Sequence, residues 1–332
     1  MRIGLTYDLA EDWVEETLDA EDLAEFDVPE TIAAIAAFVT RRGHRAERIG
    51  RAQALLPRLA EGDRWDLVFN ICEGRHGAGR EALVPSLLEA YGIPYTFSDP
   101  LVLAVALHKG ITKRLLRDAG LPTAPFAMPG TAEQPVDLPF PLFVKPMLEG
   151  TGKGIDGASL CRNADELAAS LARLTARFRQ GVLVESYLPG REFTVGVLGT
   201  GKTARILGTM EILAKETYGF DTKKHYRGRV EYRLADDPEA KAAGRAALAA
   251  WQMLGGRDGG RIDLKSDAEG RPMLLEVNPL AGLHPVDSDL VILASLAGYS
   301  HEWLLERIFC EACARTGLPW HAAEWGRVRA AE

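Results

Sequence analysis

Apolar positions along the chain follow two different periods. In the first hundred residues, short continuous apolar runs separate stretches where apolar residues recur every three or four positions. RIGLTYD (2–8) reads as a short buried strand. PETIAAIAAFVTRRG (29–43) reads as a helix, with Pro29 suited to its first turn and Gly43 to its stop. WDLVFNI (65–71) is a second buried strand and IPYTFSD (93–99) a third. Strands that alternate with helices predict a parallel α/β sheet.

From about residue 100 the pattern changes. DPLVLAVALHKGITKRLLRDAGLP predicts a helix pair that stops at Gly120 and Pro122. PFPLFVKP is a strand, and GASLCRNADELAASLARL a strand followed by a helix. QGVLVESYLPG (180–190) is a strand that ends at Pro-Gly. REFTVGVLGT and ARILGTMEI read as antiparallel strands, and PEAKAAGRAALAAWQMLGG as a strong helix. RIDLKSDAEGRPMLLEVNP is a hairpin turning at Asp-Ala-Glu-Gly, and the end of the chain is helical. The order predicted is an α/β domain, a small α+β domain and a larger α+β domain.

Length agrees with several domains: 332 residues suggest two or three. Apolar content of 47% and charged content of 26% describe an ordinary globular protein. Thirty-nine basic against 47 acidic residues give a net charge of −8, with no basic tract, so nucleic acid is not expected as a partner. The N-terminus reads as a first strand rather than a signal peptide, and no apolar run approaches the roughly 18 residues of a membrane span. Cys310 and Cys313 read as ordinary residues of the last helix, because no second pair completes a zinc site. A reducing cytoplasm is the expected location.

The hairpin brings the first candidate chemistry. Side chains alternate along a strand, so Glu276 and Asn278 share a face, as do Arg261 and Asp263 on the neighbouring strand. Asp263, Glu276 and Asn278 can then converge as oxygen donors, the set that hard cations such as Mg²⁺ take together with phosphate oxygens. The competing reading is a solvated hairpin face. The apolar character of LLEVNP argues against that, since unpaired charge on a buried strand is costly. Lys145 ends an apolar strand directly before Glu149-Gly150-Thr151-Gly152-Lys153-Gly154. A strand-end lysine beside glycine-rich N–H groups is a phosphate-binding arrangement, although no P-loop motif is present. Lys109 alone reads as a surface lysine rather than a ligand. Glu185 and Glu192, flanking the turn in ESYLPGREF, are carboxylates placed to accept bonds from an adenine amino group and ribose hydroxyls.

Taken in order, LHKGITKRLLRDAGLPTAPF, FVKPMLEGTGKGI, LVESYLPGREFTVGVL, GGRIDL and LLEVNPLAGL resemble the ATP-grasp superfamily, and within it the D-alanine–D-alanine ligase family. The resemblance runs from VFNICEG at 68 to the final helix. It implies a three-domain fold: an N-terminal parallel-sheet domain (1–104), a central lobe (105–184) and a C-terminal lobe (185–332), the last two clasping ATP. It implies that Lys109 and Lys145 contact the phosphates of ATP while the loop carrying Glu149, Gly150, Thr151 and Gly152 closes over them. Glu185 and the backbone at Leu188 would read adenine, with Tyr187 beside it and Glu192 on the ribose. Lys223 would reach the γ-phosphate. Asp263, Glu276 and Asn278 would hold two Mg²⁺ ions, with Mn²⁺ able to substitute. Arg261 and the N–H of Gly282 would form the oxyanion hole. Small amino-acid-like substrates, no membrane, and a homodimer joined through the first domain complete what the resemblance implies.

The departures from the family pattern gather in the amino-acid site. The N-terminal GGxSxE segment is replaced by GLTYDLAEDW, and the family's HG pair by Glu73-Gly74. The family's NTxPGxTxxS becomes NPLAGLHPVDSDL, which keeps Gly282 and offers Ser288 for a substrate carboxylate with a one-residue shift. Glu73, Glu81 and Asp8 are candidates to replace the missing negative charge for an ammonium group. His284, Asp287 and Asp289 are candidates to alter acceptor recognition. Three functions stay open on the sequence: a D-alanine–D-alanine ligase, a specialised-metabolite ligase of the same chemistry with other substrates, and a non-catalytic nucleotide-binding protein.

Overall fold

The structure, a computed structural model, describes residues 1–13, 21–131, 134–214 and 230–320. Three sheets organise it. The first is parallel, in the order β2-β1-β3, from β1 (Arg2–Tyr7), β2 (Arg45–Arg48) and β3 (Leu67–Ile71). Helix α1 (Pro29–Arg41) crosses between β1 and β2, α2 (Ala52–Ala60) between β2 and β3, and α3 (Leu83–Ala90) follows. The helix pair is α4 (Pro100–Leu107) and α5 (Lys109–Asp118), separated only by His108. Asp99 caps α4 and the His108 ring caps α5.

The second sheet is antiparallel, in the order β4-β7-β5-β6: β4 (Phe126–Ala127), β5 (Leu142–Pro146), β6 (Leu160–Cys161) and β7 (Val182–Ser186). Helix α6 (Ala164–Phe178) buries Leu167, Leu171 and Leu174 against it. The third sheet runs β10-β9-β8-β11-β12, formed by β8 (Glu192–Leu198), β9 (Arg205–Ala214), β10 (Val230–Leu234), β11 (Gly259–Ser266) and β12 (Pro272–Asn278). Helix α7 (Pro238–Leu254) lies on it with an alanine-rich face and Trp251. That face explains Gly259-Gly260 at the start of β11. A Cβ on Gly260 would come within 2.6 Å of the Asn278 carbonyl and of the Trp251 ring. Helices α8 (Asp289–Leu296) and α9 (His301–Thr316) end the described chain.

Two expectations need correction. Residues 93–99 form no strand beyond a single bridge from Tyr95 to Val68. Phe97 takes a left-handed φ of 72°, and its N–H donates to the distant Asp258 carboxylate at 2.7 Å instead of to a neighbouring strand. The second parallel strand is instead β2, whose sequence RAER has no apolar run to reveal it. Helix α2 also lay outside the sequence reading; it carries Pro57 in its interior. Helix α3 and strands β4 and β10 likewise lay outside the sequence reading, while the other strands and helices fall where periodicity predicts them, with shifted ends.

The core beneath the first sheet is closed by the far end of the chain. Phe38 of α1 and Phe69 of β3 pack with Phe309 of α9, with Phe69 and Phe309 stacked at 4.8 Å between ring centroids. Cys313 is buried in the same core, consistent with an ordinary helix residue. Among the described residues no helix is long and apolar enough to cross a membrane. Phe309→Ala is expected to cost about 3–5 kcal/mol and to lower the midpoint of urea unfolding; an unchanged midpoint would show that α9 does not complete this core.

Candidate active site

The β11–β12 hairpin builds the centre of the site by its register alone. Arg261 stands opposite Asn278 and Asp263 opposite Glu276. Because all four positions share a pleat direction, their side chains gather on one face. Asp263 is the hub. Its Oδ1 accepts from the Thr194 hydroxyl at 2.8 Å, and its Oδ2 accepts from the Asn278 amide at 3.1 Å and pairs with Arg261. Burial opposes charge on Arg261, but the Asp263, Asp289 and Glu276 carboxylates outweigh it and raise the guanidinium pKa above its ordinary value. Asp263, Glu276 and the Asn278 amide oxygen supply hard oxygen ligands with no thiolate or imidazole, a donor set that fits Mg²⁺ better than a soft metal.

Next to the hairpin lies a cavity of about 580 Å³. Lys145 and Glu185 line it from paired strands of the second sheet; Tyr187, Leu188 and Glu192 line it from the segment that leads into β8. Glu185 is almost fully buried between two cations, Lys113 at 2.5 Å and Lys145 at 2.6 Å. Burial alone would raise the Glu185 pKa, but the two lysines pull it below the carboxylate range. The lysines part company. At Lys113, which is wholly buried, desolvation wins and the pKa falls; at Lys145 the Glu185 and Glu276 carboxylates win and it rises. Glu192 accepts from Lys265 at 2.7 Å. Lys109, at the start of α5, donates to the Glu149 carbonyl and lies 3.3 Å from Glu276.

The glycine-rich loop is docked on the first lobe. The N–H of Gly150 donates to Glu25 at 2.7 Å, Lys153 donates to the same carboxylate at 2.9 Å, and the N–H of Gly154 donates to Glu21 at 2.6 Å. Arg80 completes the cluster, 3.2 Å from Glu25 and 2.9 Å from the Leu148 carbonyl. Burial works against the Glu25 charge, yet Arg80 and Lys153 hold its pKa down. Thr151 and Gly152 both take positive φ at the loop tip.

A second cavity, about 610 Å³, opens on the other side of the loop. It is lined by Arg261, Gly282 and Ser288 and by Glu73 and Glu81 from the first lobe. The two cavities share Lys109, Glu149 and Glu276. Ser288 Oγ accepts from the His284 N–H at 2.9 Å, and a Cβ on Gly282 would meet that oxygen at 2.9 Å. His284 lies 3.6 Å from both Glu30 and Asp287, and Asp289 lies 3.8 Å from Arg261. Asp8 does not join them: its carboxylate accepts from the Gly74 N–H at 2.9 Å and faces a separate, smaller cavity beside Trp13. Lys223 lies outside the described residues.

Sequence reasoning passed over Lys113, Lys153, Arg80, Glu25 and Asp27. Lys113 had a signal, since it follows Lys109 by four residues on one helix and so shares its face. Glu25 had none, because its partners are 55 to 128 positions away. Asp27 lines the second cavity, where burial and the Asp8 charge push its pKa from 3.8 up to about 7. A raised carboxyl keeps its full contribution to stability below the ordinary value and loses it as pH climbs to the folded one. Asp27→Asn is therefore expected to gain in Tm on the wild type as pH rises from 3.8 to about 7 and to hold that gain above. Thermal melts in which the two proteins keep a constant difference across that range would refute the shift.

Comparison with known proteins bears on the family and the fold. Residues 115–310 match the family described as D-ala D-ala ligase C-terminus. The D-alanine–D-alanine ligase of Gluconobacter oxydans is 38% identical over 260 residues, covering 75% of this chain and 82% of that protein. The ligase of Bordetella pertussis is 37% identical over 266 residues, covering 77% and 81%. The crystal structure of D-alanine–D-alanine ligase from Bacillus anthracis complexed with ATP superposes with a TM-score of 0.72 at 22% identity, over 96% of this chain and 99% of that one. The parallel first sheet and the two antiparallel sheets beyond it are thus an ATP-grasp fold. With both the sequence relatives and the fold in agreement, the chain belongs to the D-alanine–D-alanine ligase family.

Proposed function

We propose that the protein is an ATP-dependent carboxylate–amine ligase of the D-alanine–D-alanine type, joining two small amino-acid-like substrates through an acyl phosphate. The observation that carries this reading is the junction of the two cavities at Lys109, Glu149 and Glu276. A nucleotide in one cavity would present its γ-phosphate to a carboxylate in the other at that junction. The relatives named D-alanine–D-alanine ligase and the neighbour complexed with ATP support it.

In this reading Lys109 and Lys145 bind phosphate oxygens, and the N–H groups of loop 149–154 cover them. Glu185 and the Leu188 backbone face the adenine beside Tyr187, and Glu192 the ribose. Asp263, Glu276 and Asn278 hold two Mg²⁺ ions, which when bound neutralise charge on the phosphates. A substrate carboxylate oxygen attacks the γ-phosphorus and ADP departs. The amine of the second substrate then adds to the acyl carbon, and the C–O bond breaks to release phosphate as the amine gives up its protons. Arg261 and the Gly282 N–H stabilise the oxyanion of the tetrahedral adduct. The docked loop keeps water from the acyl phosphate.

A second reading within the same chemistry uses substrates other than D-alanine. Glu73 and Glu81 on the amino-acid cavity favour it, because the family pattern has a histidine in the HG pair where Glu73 stands. A non-catalytic nucleotide-binding protein fits less well, since it has no use for an arginine paired to the carboxylate that would bind metal.

Purified protein given Mg-ATP and amino acids of both hands, singly and in pairs, is expected to release phosphate and yield a dipeptide mass. ATP binding without phosphate release from any pair would sink the ligase reading. Arg261→Met is expected to lower kcat about 10²–10³-fold with little change in KM for ATP; a fall confined to ATP affinity would place Arg261 on the nucleotide instead.

A further inference from the structure

The carboxylates of the amino-acid cavity divide sharply by partner. Glu25 is held by Arg80 and Lys153, Glu149 by Lys153, and Glu276 by Lys109. Asp287 and Asp289 have His284 and Arg261 nearby. Asp27, Glu73 and Glu81 have no cation within 4.0 Å among the described residues. They arrive from different elements: Asp27 just before α1, Glu73 just after β3, and Glu81 just before α3. All line one cavity. Glu81 is only 9% exposed, yet its carboxylate accepts no hydrogen bond from a described residue. Glu73 lies close enough to Glu81 and Asp27 to feel the charge of each. The neighbouring cations are committed elsewhere, Arg80 to Glu25 and the Leu148 carbonyl, Lys109 to Glu276 and the Glu149 carbonyl.

Carboxylates crowded together without a close cation resist ionising, and a ligand that supplies the cation favours their charged form on binding. The α-ammonium of one amino acid answers one carboxylate and leaves the others unmatched. We propose that the amino-acid cavity selects a substrate with a second cationic group, a diamino acid, received by Glu81 and Glu73. This inference rests on the ligase reading for the cavity's role, but binding tests it separately from turnover.

The experiment is calorimetric titration of the full chain, with Mg-ADP present, by size-matched ligands: ornithine against norvaline and lysine against norleucine, in both hands. A diamino acid is expected to bind about tenfold or more tightly than its neutral counterpart, about 1.4 kcal/mol. Glu81→Gln and Glu73→Gln should each shrink that ratio while leaving ADP affinity unchanged, which also reports that the variants are folded. Equal or tighter binding of norvaline and norleucine to the wild type overturns the inference. So does a preference that both variants retain. Absence of phosphate release with any amino acid, despite that binding preference, overturns the ligase reading alone.

Discussion

The pairing register of β11 with β12 is the constraint on which the site depends. It places Asp263 against Glu276 and Arg261 against Asn278, so the clustered oxygen donors and the arginine come from one ladder rather than from separate loops. A slip of β12 by one residue would turn Glu276 and Asn278 to the opposite face and away from Arg261 and Asp263. The register is held from below. Ile262, Leu264, Leu274 and Val277 point into the core under α7, and Trp251 fills the space left by the absent Cβ of Gly260. The apolar face therefore fixes where the polar face points.

The two cavities differ in how they handle charge. Beside the nucleotide cavity, Glu185 is matched by Lys113 and Lys145, and Lys113 donates further to Thr123 at 2.6 Å. Breaking such a buried pair strands a charge, so its members specify one arrangement of α5 against the second sheet more than they add net stability. The second cavity, although Lys109 and Arg261 line it, leaves Asp27, Glu73 and Glu81 with no cation within 4.0 Å among the described residues. The carboxylate at Glu185 is thus matched within the protein, whereas these three are not.

Much of this was legible in the sequence because it depends on local periodicity. The two-residue repeat along RIDL and LLEVN was sufficient to put Asp263, Glu276 and Asn278 together, and strand followed by glycines was sufficient to single out Lys145 and its loop. What escaped depends on distant partners. Strand β2 is polar on both faces and is recognised only through its pairing with β1. Residues 93–99 have strand composition, but a carboxylate more than 150 positions away, at Asp258, takes the Phe97 N–H. Glu25 reaches the glycine-rich loop across 125 residues, and no spacing rule connects them.

The Phe309 contact has a consequence for synthesis. Domains made on the ribosome generally fold as they emerge, N-terminal first. Here the first sheet emerges with Phe38 and Phe69 lacking the aromatic ring that covers them, because that ring belongs to a helix near the end of the chain. The lobe that holds β1 and β3 is thus made well before α9 can seal it. Until α9 is synthesised its apolar face is a surface for chaperones to shield, and a chain truncated before α9 is left with it permanently uncovered.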